Sequence, residues 1–509
     1  MNKTLELIGF EEVRSSLKEF ALTIEAKNKI DTMKPYENKE DLLHQLNNVT
    51  KAREMIENIG KPPLALMIKT RDLIDKCESG KLMEAHEIQD IGDFLRSVKQ
   101  LKEYLNKGLK YNVNFTEYQE QLIYPEYVHN DIDRCIKSGR IVDEASSKLF
   151  KLRKKIRKLE PQLKINAQNT LDKNKKYASE NFIVNRDGRW CVPVKKEYQH
   201  KISGMKISKS STGNTIFIEP KAVTKIYEDY FQAKLDQYTE EANIINILMN
   251  DISEFRLALL ENINIISTLD FIFAKAKLSI DMNASEAKIN DERYINIEKA
   301  RHPSIKENCV PLNYSIGRGY RGIIITGPNT GGKTVAIKTI ALCSNMANYG
   351  LHVPAEKADI AFNTKIYCDI GDNQDIKKNL STFSSHIKNV LDIIKNVDEN
   401  SLVIFDELGS GTDPTEGMGI AISILEELRR KNSLFLVTTH YPEIKDYADK
   451  HEEIINARMA FDRENLNPLY RIELGKSGES CALHIAKKLG MPKYMLDIAS
   501  RYVYGDINS

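Results

Sequence analysis

Apolar positions along the chain keep two different periods. In EDLLHQLNNVTKAREMIENI and AHEIQDIGDFLRSVKQLKEYL, within residues 1–140, they recur every three or four residues. That is the spacing of helices with one buried face. The N-terminal MNKTLELIGFEEV has the same amphipathic character. Leu149, Leu152, Ile156, Leu159 and Leu163 then form a coiled-coil-like seam on one long helix or two, with Pro161 expected to kink or break it. The opposite face carries Lys148, Lys151, Arg153, Lys154, Lys155, Arg157 and Lys158. Residues 181–219 switch to alternation around Asp187-Gly188 and Thr212-Gly213-Asn214, which predicts a small sheet of hairpins. From 221 to 277 the helical period returns, with Leu235, Tyr238, Ala242, Ile245, Met249 and Ile252 as its seam. Two long helices flanking a small β tip describe an arm.

The last third is different again. GIIITG, SLVIFDE and LFLVTTH are short, continuous apolar runs separated by helical stretches such as GMGIAISILEELRRK. Such runs suit strands covered on both faces, in a largely parallel α/β sheet. The expected organisation is a helical core and lever (1–140), an outgoing arm helix with a small β clamp-like tip (141–222), a returning lever helix and core (223–299), and an α/β domain (300–509).

Composition narrows the class. The chain has 509 residues, 41% hydrophobic and 29% charged, with a formal net charge of +2. This is a globular balance, and bulk charge makes no case for nucleic acid. Local patches do: the 148–158 helix face, and the tip residues Arg186, Arg189, Trp190, Lys195, Lys196, Lys201, Lys206 and Lys209, are suited to phosphate-backbone contact or to a solvated surface. Seven scattered cysteines without a C-x-x-C pair fit a reducing cytosol and argue against a zinc knuckle or a disulfide scaffold. No apolar run is expected to approach the ~20 residues that span a bilayer. No membrane role and a cytoplasmic location are expected.

The chemistry concentrates in the α/β domain. Gly327, Pro328, Asn329, Thr330, Gly331, Gly332, Lys333 and Thr334 fit G-x-x-x-x-G-K-[ST], directly after a strand at 322–326 and before a helix. Small residues let backbone N–H groups curl around phosphate oxygens, and the helix start adds partial positive charge. Lys333 is then expected on the β and γ phosphates of ATP, and Thr334 on Mg2+. Asp406 and Glu407 end the run SLVIF, where Asp406 suits the magnesium and Glu407 suits a general base for water. His440 ends the next run, where it can sense the γ-phosphate or orient the water. Ser381, in STFSSH, reads as a helix cap or an anion site. The loop 409–413 follows Glu407 at once.

GPNTGGKT, STFSSH, FDELGSGTDP and TTHY, in that order and spacing, resemble the ATPase domain of the MutS family, within the ABC-type P-loop ATPases. FIEP, LDFIFAKAKLSI, ARHP and the C-terminal GKSGESCALHIAKKLGMPKYMLDIASRYV extend the resemblance over 180–500, closer to the MutS-two branch than to mismatch readers. The resemblance implies a homodimer with two composite sites. Ser381 would complete the partner's site, the 410–413 loop would cross the interface, a helix-turn-helix near 475–505 would brace the dimer, and Asn329 would help position phosphates. It implies an ATP-driven clamp on double-stranded, branched or damaged DNA, in mismatch repair or recombination control. A ribosome-associated ATPase in translation quality control is the alternative. A transporter subunit is disfavoured, because no LSGGQ-type signature is present.

Two departures qualify this resemblance. Phe10 and Glu12 fit the bare Phe-x-Glu spacing of a mismatch wedge but fall in what reads as the first core helix. Typical second-branch members continue into a Smr-type nuclease domain, whereas this sequence stops at Ser509, so nuclease activity is not expected. Tyr314 and Tyr320 are the aromatic candidates for stacking on adenine.

Overall fold

The computed structural model describes residues 2–64, 69–305, 309–327, 332–371, 382–462, 467–478, 483, 486–487 and 490–504. Its mixed helix-and-sheet chain divides into two compact units. One comprises Met1–Leu64, Lys107–Phe115 and Ile266–Ser509, the other Ala65–Asn106 and Thr116–Ile265.

The first unit is organised by a six-stranded sheet. Its strands are β1 (Gly322–Thr326), β2 (Lys365–Asp369), β3 (Ser401–Phe405), β4 (Leu434–Thr438), β5 (Ile454–Asp462) and β6 (Asn467–Leu474), in spatial order β2-β3-β4-β1-β5-β6. All neighbours are parallel except β5 and β6. The continuous apolar runs have the predicted cause, because alternate residues serve two cores. Ile323, Ile325, Leu402, Ile404, Leu434 and Leu436 join one core, which also contains Ala336, Ile337 and Ile340 of helix α1 (Lys333–Asn348). Ile324, Val403, Phe405, Phe435 and Val437 join the other, with Val390 and Ile393 of α2 (Thr382–Asn396) and Ala421, Leu425 and Leu428 of α3 (Pro414–Arg430). Each such valine, leucine, isoleucine or phenylalanine removed from water contributes about 1.5–3 kcal/mol before entropy is charged against it.

A second, four-stranded sheet orders Lys288–Asn290, Lys357–Ala361, Ile295–Ala300 and Leu312–Ile316. The N-terminal amphipathic stretch forms two helices, Asn2–Leu7 and Phe10–Phe20, separated at Gly9 with φ +80°. Phe10 is fully buried, its ring 4.5 Å from that of Tyr349, so it is a core side chain in this structure.

In the other unit, Ser147–Lys173 is one uninterrupted helix with Pro161 inside it, so the expected break does not occur. Proline removes one backbone donor; here the packing of Leu149, Ile156, Leu163, Ala167 and Leu171 carries the helix through. The partner helix Lys221–Glu254 runs 34 residues, but its predicted seam needs correcting. Ile245, Met249 and Ile252 are buried as expected, but Leu235 and Tyr238 are exposed, and Val223, Ala233, Glu240, Ile244 and Leu248 complete the buried face. Buried Glu240 is compensated by Ser146 Oγ, which donates at 2.7 Å, and by Lys148 at 2.9 Å. Between the two helices in sequence lies an antiparallel sheet ordered Val184–Arg186, Arg189–Lys195, Thr215–Pro220, Gly204–Lys209.

The membrane reading also needs a correction. Helix Arg256–Asp281 has the length and apolarity to cross a bilayer, although most of its apolar window is buried within the protein. It also holds polar anchors. Asp270 accepts the backbone N–H groups of Leu22 and Thr23 at 2.9 and 2.7 Å. Lys275, its pKa pushed down to about 7 by burial, donates to the Tyr349 carbonyl at 3.2 Å.

Candidate active site

The carboxyl ends of β1, β3 and β4 meet at one edge of the six-stranded sheet, where open α/β sheets bind ligands. β1 delivers Gly327 (φ +136°), Gly332 has φ +84°, and α1 starts at Lys333. Lys333 is almost wholly buried, and its Nζ donates to the Gly327 carbonyl at 2.8 Å. Burial lowers its pKa, while the nearby charges of Glu407 and Asp406 act in the opposite direction. Pro328, Asn329, Thr330 and Gly331 lie outside the described residues, as does Ser381.

Asp406 leaves the end of β3 with both oxygens engaged. Thr334 Oγ1 donates to Oδ2 at 2.6 Å, and Thr438 Oγ1 donates to Oδ1. The same Thr438 hydroxyl accepts the Glu407 N–H at 2.8 Å, and the Thr438 carbonyl accepts the Leu408 N–H at 3.1 Å. Together these bonds hold Glu407 at φ +51°, a left-handed conformation that costs an L residue about 1–3 kcal/mol. Strain of this kind persists where neighbours over-determine it. The Glu407 carboxylate meets His440 Nε2 at 3.3 Å. The sequence-predicted residues Lys333, Thr334, Asp406, Glu407 and His440 are therefore assembled in one place.

The donor set suits the groups the sequence implies. A threonine hydroxyl beside a carboxylate is an all-oxygen arrangement, the preference of a hard cation such as magnesium. A buried ammonium whose bond goes to a loop carbonyl, at the N-terminus of a 16-residue helix, suits a phosphate. The 409–413 loop is tightly built: Asp413 caps α3 by accepting the N–H groups of Thr415 and Glu416 at 3.0 and 3.2 Å. Gly409 backs onto Gly417 so closely that a Cβ would lie 2.4 Å from the Gly417 carbonyl oxygen.

The MutS domain V family profile matches residues 323–504, which span this whole edge. Endonuclease MutS2 of Halothermothrix orenii is 37% identical over 99% of the chain, and putative endonuclease MutS2 of Bacillus subtilis is 36% identical over 99%. Endonuclease MutS2 of Clostridium kluyveri is 36% identical over 98%. Over almost its whole length the chain is similar to MutS2 proteins. It spans 64–66% of the length of these three MutS2 relatives, and the endonuclease in their names is said of those longer proteins.

Three features of this site escaped sequence reasoning. Thr438 was visible only as part of TTHY, yet its single hydroxyl joins Asp406 to Glu407. Asp369, at the end of β2, accepts the Asp406 N–H on its carbonyl at 3.0 Å. Tyr470 of β6, also at positive φ (+51°), lies against Gly332, where a Cβ would fall 2.7 Å from its ring. The upstream aromatics are less suited to stacking. Tyr314 is 2% exposed within the core, and the Tyr320 hydroxyl is tied to the Ser315 carbonyl at 3.0 Å. The edge strand that carries Tyr470 runs antiparallel to β5, and its approach to Gly332 is set by that pairing, which no local motif records.

Proposed function

We propose that this chain is a Mg-dependent ATP hydrolase of MutS type, acting in the cytoplasm as a homodimeric, ATP-driven clamp on double-stranded or branched DNA in mismatch repair or recombination control. The observation that carries the hydrolase reading is the Asp406–Glu407 corner. One carboxylate is fixed by two threonine hydroxyls, and its neighbour is held in a strained backbone, beside a buried lysine and a histidine.

In this reading Lys333 and Gly332, with the 328–331 segment, hold the phosphates, and Asn329 helps position them. Thr334 and Asp406 hold magnesium, which when bound offsets phosphate charge. Glu407 accepts a proton from the attacking water, and His440 orients that water or senses the γ-phosphate. Ser381 completes the partner's site, the 410–413 loop crosses the interface, and the C-terminal segment 475–505 braces the dimer. The exposed Tyr494, Ile498 and Tyr502 of α4 (Lys493–Tyr504) give that segment an apolar surface for this purpose. Tyr470 stacks on the nucleobase. Stacking contributes about 1–3 kcal/mol per base, so Tyr470→Ala should raise the KM for ATP roughly 5- to 150-fold and leave kcat unchanged. Unaltered KM in steady-state assays would place the base elsewhere.

Support for nucleic-acid contact comes from which basic residues remain available. Arg153 is committed to Asp143 and Glu241, Arg157 to Asp143, and Arg189 to Glu219. Lys151, Lys154, Lys155 and Lys158 are exposed along one helix, and Lys195, Lys196, Lys201 and Lys209 are exposed around the small sheet. Changing Lys151, Lys154, Lys155 and Lys158 to Glu should weaken DNA binding and flatten its salt dependence, by about one unit of slope per lost phosphate contact. A binding titration across salt concentrations with an unchanged slope would make this face merely solvated. The deciding assay is ATPase activity alone and with duplex DNA, four-way junction DNA or ribosomes. Salt-sensitive stimulation by DNA supports the clamp, and stimulation by ribosomes alone moves the protein to translation.

A further inference from the structure

The Asp369 side chain is 10% exposed and carries two donors, both from α2: His386 Nδ1 at 2.9 Å to Oδ2 and Asn389 Nδ2 at 2.7 Å to Oδ1. These residues are three apart and so share one face of the helix. Through its backbone, Asp369 accepts the N–H of Asp406. A single residue thus bonds α2 on one side and the start of the Asp406–Glu407 corner on the other. The ring of His386 lies flush on Gly371, where a Cβ would come within 2.4 Å of Cε1, so a side chain at 371 would expel the imidazole. His386, Phe383, Gly371, Asp406 and Glu407 all line one cavity of about 30 Å³, room for a single water.

We infer that Asp369 and His386 form a positioning pair that sets the catalytic corner for hydrolysis, so that turnover depends on how α2 is seated. The inference rests on the assignment of Glu407 as base. His386 acts through Asp369. A nearly buried carboxylate stripped of its imidazole donor must find another partner or draw water into the cavity. Either response moves the end of β2, and with it the carbonyl that fixes Asp406. Nucleotide binding uses the β1 loop and α1 instead, and is left intact.

The test compares His386→Ala, His386→Asn and Asp369→Asn in the full chain, with ATP affinity and steady-state kinetics measured separately. Asparagine at 386 keeps an N–H donor near the position of Nδ1. His386→Ala should lower kcat about 10- to 100-fold, with ATP affinity within roughly threefold of the parent. His386→Asn should recover most of that loss, and Asp369→Asn should lower kcat about tenfold. Parent-like kcat in His386→Ala, or an asparagine variant as impaired as alanine, overturns the pair. If His386→Ala fails to bind ATP, Asp369→Asn decides: a parent-like kcat overturns the pair, and a tenfold loss supports it. Glu407→Gln run alongside separates the two ideas. If that variant hydrolyses normally, the base assignment has failed; if it is inactive while His386→Ala is not, only the pair has failed.

Discussion

Glu407→Gln is expected to bind ATP with parent-like affinity and to hydrolyse it about 10²–10⁴-fold more slowly, the usual contribution of a positioned general base. Two features make this substitution clean. The bonds that force φ +51° at this position use its backbone N–H and the Leu408 N–H, and neither depends on the side-chain charge. Glutamine also matches glutamate in size, so Asp406, held by Thr334 and Thr438, keeps both partners. What disappears is the anionic oxygen facing His440 at 3.3 Å. Binding by calorimetry and turnover by phosphate release give the two readouts. Near-normal turnover would transfer the proton-accepting role, with His440 the nearest successor. Loss of binding together with turnover would mean that the carboxylate serves the fold of the loop and not the reaction.

Much of this site was legible in the sequence because its parts are local. A strand, a glycine loop and a helix start are contiguous, and so are Asp406 and Glu407; each motif therefore carries its own geometry. What was not legible depends on pairings between distant segments. Thr438 reaches Asp406 because β3 and β4 are adjacent and parallel, with Phe405 opposite Val437. Asp369 reaches it because β2 pairs with β3, with Asp369 opposite Phe405. Helix faces erred for a related reason. Leu235 and Tyr238 fit a 3.6-residue period as well as Ala233 and Glu240 do, and only the neighbouring helix decides which stripe is covered. Glu240 was the harder case, because a carboxylate seldom enters a seam unless donors such as Ser146 and Lys148 await it. Pro161 likewise reads as a breaker from local rules alone, and tertiary packing overrides it.

Lys333→Ala is expected to abolish measurable ATP binding, and with it any nucleotide-dependent behaviour. Lys333 is the first residue of α1 and almost fully buried, so its ammonium is held at the loop with little help from water. Burial already disfavours its charge, and Asp406 and Glu407 only partly offset that cost. A phosphate group arriving there would supply the missing anion and replace a neutral carbonyl as acceptor, converting the 2.8 Å bond to Gly327 into a charge-assisted one. Truncating one member of such a desolvated pair costs about 2–5 kcal/mol, or roughly 30- to 5,000-fold in affinity. Lys333→Arg should not rescue it, because the wider guanidinium must fit beneath Gly332, which Tyr470 already crowds. Unchanged affinity in the alanine variant would remove the phosphate-loop assignment itself. Binding that is lost in alanine but kept in arginine would show that charge alone suffices and that the shape of the loop does not select.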